Sequence, residues 1–128
     1  MTARARLLLD THVVLWWLAD DPTLADDLKA AIDEELEVYV SAVTGWEVAI
    51  KQSIGKLTSP VDLAEEIRDS DLHQLPVRFD HAIEAGRLPP HHRDPFDRML
   101  VAQARVERLT LVSRDTAIHG YDVPVLKA

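Results

Sequence analysis

Short strand-like apolar runs alternate with helix-patterned stretches along this chain, and that alternation leaves few folds open to it. Residues 6–10, 38–41, 72–77 and 109–113 read as strands, and 123–126 as a final edge strand where Pro124 is tolerable. Between them lie helical patterns at 12–19 and 24–34, broken at Asp21-Pro22, and another from residue 42 to about 54, stopped by Gly55. Ser59-Pro60 pairs a capping side chain with a proline suited to the first helical position, which predicts a helix through residue 70. A short helix over 79–85 is stopped by Gly86, residues 89–93 form a loop, and Asp94-Pro95 opens a long helix to about residue 108. Parallel strands need crossovers and helices supply them. The expected fold class is therefore α/β, a mainly parallel sheet covered on both faces. In such sheets ligands bind outside the carboxyl ends of the strands.

With 128 residues and no repeat or long linker, the chain is expected to form one domain over 1–128. A hydrophobic content of 47% supports a packed core. The absence of cysteine excludes disulfides, thiolate zinc sites and a cysteine nucleophile, and fits a reducing cytoplasm. Arg4 and Arg6 ahead of Leu7-Leu8-Leu9 imitate a secretion leader, but Asp10 and His12 interrupt the apolar stretch at once. The longest clean apolar run, 13–19, falls far short of the roughly 20 residues that a spanning helix needs. A soluble, cytoplasmic protein is the expectation.

The formal charge of −8 opposes a nucleic-acid partner at first sight. Its distribution removes the objection. Eight acids between residues 19 and 37 face Lys29 alone, whereas between 87 and 108 five arginines face three acids. Divalent cations held by some of the acids would make the local field more positive still.

Four acids stand out: Asp10, Glu47, Asp97 and Asp115. Each also has an ordinary structural reading. Asp10 can cap the helix that follows it. Glu47 lies in a possible capping box with Thr44 and has Lys51 as an i+4 ion-pair partner. Asp97, three residues after Asp94, suits the third helical position, and Asp115 can simply form a turn. Their order is more specific than any one of them: an acid at the first strand's end, one in a mid-chain helix, one opening a late helix, and one after the next strand.

Together with their surroundings these residues resemble the PIN-domain nucleases, and within them the VapC-like toxins of bacterial toxin–antitoxin pairs. The matching pieces are Leu7-Leu8-Leu9-Asp10-Thr11-His12, Ser41-Ala42-Val43-Thr44-Gly45-Trp46-Glu47, Gly55-Lys56-Leu57, Asp94-Pro95-Phe96-Asp97-Arg98-Met99-Leu100-Val101-Ala102-Gln103-Ala104 and Ser113-Arg114-Asp115. The resemblance covers nearly the whole chain. It implies a three-layer α/β/α sandwich and an endoribonuclease, the toxin of its pair, working with Mg²⁺ or Mn²⁺. It further implies inhibition by a small antitoxin. The acidic pocket carries over onto Asp10, Glu47, Asp97 and Asp115, with Thr11 and Ser113 as small hydroxyl residues beside it. Crowded carboxylates repel one another, and a hard divalent cation with oxygen ligands relieves that repulsion. Asp10 and Asp97 are expected as the most direct metal ligands, with Glu47 and Asp115 completing the shell through water or orienting the nucleophile.

Other residues are more ambiguous. His91 and His92 sit in a proline-rich loop, where solvent exposure is the expectation over zinc ligation. Arg93, Arg98 and Arg114 suit RNA phosphates or, equally, the balancing of neighbouring carboxylates. The helix bearing Trp16 and Trp17 is apolar on nearly every side, which fits core packing or an interface with a second copy or an antitoxin. Two further classes compete with the nuclease: a catalytically inactive PIN-like module that binds RNA or protein, which the full set of acids disfavours, and a Mg²⁺-dependent phosphohydrolase. The latter usually wants an acid two residues after the first, where this chain has His12. A response-regulator receiver lacks its late-strand lysine, since none precedes Lys127 in that region.

Overall fold

The computed structural model describes residues 6–34 and 37–128. Arg4 and Glu35, which enter the leader and charge readings, lie outside the described residues. Five parallel strands form one sheet, β1 (Leu7–Leu9), β2 (Val38–Ser41), β3 (His73–Leu75), β4 (Thr110–Ser113) and β5 (Val125–Lys127), in the order β3-β2-β1-β4-β5. The helices are α1 (Thr11–Leu18), α2 (Asp26–Glu34), α3 (Ala42–Ser53), α4 (Leu63–Arg68), α5 (Phe79–Arg87) and α6 (Pro95–Glu107), with a 3₁₀ turn over Ile118–Gly120.

Alternation along β1 divides the core. Leu7 and Leu9 face one side with Val13 and Val14 of α1, Leu28 and Ile32 of α2, and Ile67 of α4. Leu8 faces the other with Leu100, Val101 and Ala104 of α6. Both clusters are almost fully buried, so the sheet is covered twice and the architecture is the expected α/β/α sandwich.

Several element boundaries differ from the sequence reading. Helix α4 begins at Leu63 rather than at Ser59-Pro60, because the Asp62 side chain accepts from the Glu65 N–H and supplies the cap. Ser59 instead accepts from the Val61 N–H in a local turn. Helix α2 starts at Asp26, after a turn in which Asp20 takes a positive φ of 48°. Helix α5 runs through Gly86 to Arg87, and strands β3 and β5 are shorter than predicted. Pro124 precedes β5 instead of lying within it, and its carbonyl accepts from the Leu111 N–H.

Arg98 pairs with no acid among the described residues and is taken up by carbonyls and a hydroxyl instead. Its guanidinium donates to the carbonyls of Ala85 (2.9 Å), Leu88 (3.0 Å), Pro89 (3.1 Å) and His92 (3.3 Å) and to the Tyr121 hydroxyl (3.3 Å). Tyr121 in turn donates to the Pro89 carbonyl and accepts from the His92 N–H, each at 2.9 Å. The 88–92 loop is thereby tied to the first turns of α6. Arg98→Ala should cost about 3 kcal/mol in urea unfolding, since it leaves carbonyls without their charged donor, and Arg98→Lys should recover little of it.

Candidate active site

The parallel register builds the site. Leu9 of β1 pairs with Val40 of β2 and with Val112 of β4, so Asp10, one residue on, lies in line with Ser41 and Ser113. Asp10 also caps α1: one carboxylate oxygen accepts from the Val13 N–H at 3.0 Å, the other from the Ser113 hydroxyl at 2.5 Å. The Ser113 oxygen accepts from the Asp115 N–H at 3.1 Å, linking the first acid to the last. Asp115 accepts in turn from the Ala117 N–H, so the turn reading and membership of the cluster both hold for its position.

Ser41, not Thr44, caps α3 by accepting from the Val43 N–H. Thr44 is freed to meet the Thr11 hydroxyl at 3.2 Å. Thr11 donates to one oxygen of Glu47 at 2.6 Å, and Lys51 holds the other at 2.8 Å, as the i+4 spacing predicts. Both Thr11 and Glu47 are buried. At α6, Asp94 is the N-cap, accepting from the Phe96 N–H at 2.9 Å, and Pro95 occupies the first helical position. Asp97 follows in the first turn with its carboxylate free of the cap.

Asp10, Asp97 and Asp115 open onto one cleft of about 250 Å³, together with His12, Trp16 and Arg114. Glu47 stands at the edge of this group, its carboxylate already held by Thr11 and Lys51. Burial drives the Asp97 carboxyl up to about 7; the charges of Asp94, Asp10 and Glu47 add to the effect and His92 opposes it. Burial also raises Asp10, against the hydrogen bonds from Ser113 and Val13. For Asp115 burial acts in the same sense, but the hydrogen bonds from His92 and Ala117 outweigh it and hold the carboxyl below its usual range.

His92 is the site residue that the sequence reading missed. It is half-buried, not solvated as expected: its Nε2 lies 3.0 Å from Asp97 and 2.8 Å from Asp115. Its Nδ1 accepts from the Asp94 N–H, which leaves the ring proton on Nε2 to be shared between the two carboxylates. The only hint in the sequence is its place two residues before the cap of the helix that carries Asp97. His91 is exposed and packs edge-on against Tyr121. Ligand atoms of His92, Asp97 and Asp115 all lie within 4.8 Å of one another, a spacing that suits a metal ion once the Nε2 proton is displaced. The fit is chemical as well. A group dominated by carboxylate oxygens, one of them driven towards its neutral form by burial and then by neighbouring charges, matches a hard divalent cation.

A family model described as PIN domain matches residues 7–124. The chain belongs to the PIN-domain family. It is 30% identical over 126 residues to Ribonuclease VapC22 of Mycobacterium tuberculosis, covering 92% of this chain and 93% of that protein. Among solved structures, this PIN domain shares its fold with DNA-bound VapBC from Salmonella typhimurium (TM-score 0.73, 16% identity, 96% of this chain and 98% of that one). It also shares it with a toxin–antitoxin complex from Klebsiella pneumoniae (TM-score 0.64, 20% identity, 94% and 95% covered).

The raised Asp97 carboxyl has a stability consequence. Between the ordinary carboxylate range and about pH 7 the folded protein binds this proton and the unfolded chain does not, so stability falls as pH rises through that window. In chelator, Asp97→Asn should melt above the wild type at pH 8, with the gap closing towards pH 4; a constant gap would count against the assignment. Asp94→Ala should cost about 0.5–2 kcal/mol at both pH values through loss of the cap.

Proposed function

We propose that this PIN domain is an endoribonuclease dependent on Mg²⁺ or Mn²⁺, the toxin half of a toxin–antitoxin pair acting in the cytoplasm. The observation that carries the reading is the convergence of Asp10, Asp97 and Asp115 on one cleft, with Glu47 beside them, in a relative of a named ribonuclease. Asp10 and Asp97 would hold the ion directly, with Glu47 and Asp115 acting through water or orienting the nucleophile. The chemistry supplied on binding Mg²⁺ or Mn²⁺ is activation of water and compensation of charge growing on the scissile phosphate. Ser113 and the Val13 N–H fix Asp10, and Thr11 and Lys51 fix Glu47, so both carboxylates are oriented before substrate arrives. His92 holds Asp97 and Asp115 close through its Nε2 proton. An inactive binding module would have no need of this convergence.

Partnership with a second copy and with a small antitoxin belongs to the same reading. The α1 helix offers less for it than the sequence suggested: Trp16 and Trp17 are half-buried, Trp17 donates to Asp33 at 2.9 Å, and Arg114 covers Trp16. Phe79, 82% exposed, and Trp46, 62% exposed, are better support for an interface. No helix among the described residues is long and apolar enough to cross a membrane.

Purified protein should cleave single-stranded RNA with added Mg²⁺ or Mn²⁺ and stop on chelation. Asp97→Asn should cut turnover roughly 10²–10³-fold, the scale of losing one preorganised electrostatic group. Cleavage that survives exhaustive chelation would overturn the mechanism. Light scattering should give a dimer, and a monomer that ignores the product of an adjacent gene would overturn the partnership.

A further inference from the structure

Arg114 is the one arginine or lysine among the described residues that line the acidic cleft, and it pairs with none of Asp10, Asp97 and Asp115. Its Nε donates to the backbone oxygen of Ala128 at 3.0 Å and one terminal nitrogen, Nη2, to the Thr23 carbonyl at 2.8 Å. The guanidinium carbon stands 4.6 Å from the centre of the Trp16 ring. A flexible arginine there merely to balance charge would fold onto Asp115 or Asp10. The backbone oxygens of Thr23 and Ala128 and an aromatic face hold it away from them.

What this arrangement leaves open is informative. One face of the guanidinium lies on Trp16, the residue is exposed, and Nη1 carries no hydrogen bond to a described residue. Arg98 offers the contrast, with both terminal nitrogens taken up by carbonyls and a hydroxyl. Next to Arg114 in the cleft wall, the exposed ring of His12 leans on Trp16 at 5.9 Å and 33°. The cleft therefore joins three carboxylates to a planar cation laid over an aromatic ring. Arginine planes and aromatic rings are what unpaired bases stack on, and a free N–H of the same group suits a phosphate.

We infer that Arg114, flattened on Trp16 and flanked by His12, seats one unpaired nucleotide of the RNA beside the scissile phosphate. The base stacks on the outer guanidinium face and Nη1 donates to a phosphate oxygen. This deepens the nuclease reading and rests on it. A base held in a duplex is already stacked between neighbours and cannot occupy the seat, so the site selects single-stranded RNA. Arg114 acts as a positioning residue: it acts on binding, while the acids act on the chemistry.

Two measurements test this. The first is initial cleavage rates, with Mg²⁺, on a single-stranded RNA decamer. Arg114→Lys keeps the charge but loses the plane, and should raise KM roughly 5- to 100-fold, the effect of one stacked base, with kcat little changed. His12→Ala, which leaves the ties to Thr23 and Ala128 intact, should raise KM in the same sense without lowering Tm. A lysine variant with wild-type KM would show a point-charge contact and overturn the seat. So would a loss that falls on kcat alone. The second is photocrosslinking of a 5-iodouridine decamer to the wild-type protein, mapped by peptide mass. Crosslinks should fall on the segment carrying His12 and Trp16, and their absence there would overturn the proposal. A protein that crosslinks there yet cleaves nothing would keep the seat while sinking the nuclease reading, so the two failures are separable.

Discussion

Carboxylates withdrawn from water a few ångströms apart repel one another, and much of the local structure answers that repulsion. Asp10 is met by an N–H at the start of α1 and by Ser113. Glu47 is met by Thr11 and Lys51. Asp115 and Asp97 share the His92 proton. Asp97 is the least compensated, and its carboxyl climbs to about 7. Such a cluster is poor as a source of stability and good as a receptor for a cation, since the strain of holding like charges together is relieved when a positive ion enters.

Placement of this cluster follows from the direction of the strands. All five run the same way, so the turns after β1 and β4 and the N-terminus of α3 emerge at one edge. The acids come from elements far apart in sequence; the β1–β4 and β1–β2 registers set Asp10 level with Ser41 and Ser113, and the first turn of α6 adds Asp97. The loop that delivers His92 is set differently. It has no regular structure of its own and depends on Arg98 and Tyr121, two side chains from α6 and from just beyond the 3₁₀ turn. The acidic floor of the cleft is fixed by backbone pairing and its histidine by side-chain ties.

The sequence made the fold legible because its signals were periodic: β-branched and leucine runs of strand length, separated by helix-length patterns. Boundaries were less legible where two residues competed for one role. Ser59-Pro60 reads as a helix start, but it is the Asp62 side chain that meets the Glu65 N–H and caps α4. Asp10, Glu47, Asp97 and Asp115 were singled out by their order along the elements and by the resemblance of their surroundings. The place of His92 was not, because nothing local distinguishes a solvated loop histidine from one folded back onto two acids. The arginines were ambiguous for the same reason. Arg98 and Arg114 have similar neighbours in sequence, yet one ties down a loop and the other stands over a tryptophan ring.

The bond between the Ser113 hydroxyl and Asp10 joins residues 103 positions apart, and it can form only when β4 has docked beside β1. During synthesis Asp10 and Glu47 emerge early, but Asp97, Asp115 and Ser113 come from the last third of the chain. Long-range parallel pairings are also slow to close. A nascent or truncated polypeptide therefore carries half of the acids and no assembled cleft. The cleft is assembled only after the final strands have left the exit tunnel and the sheet has closed.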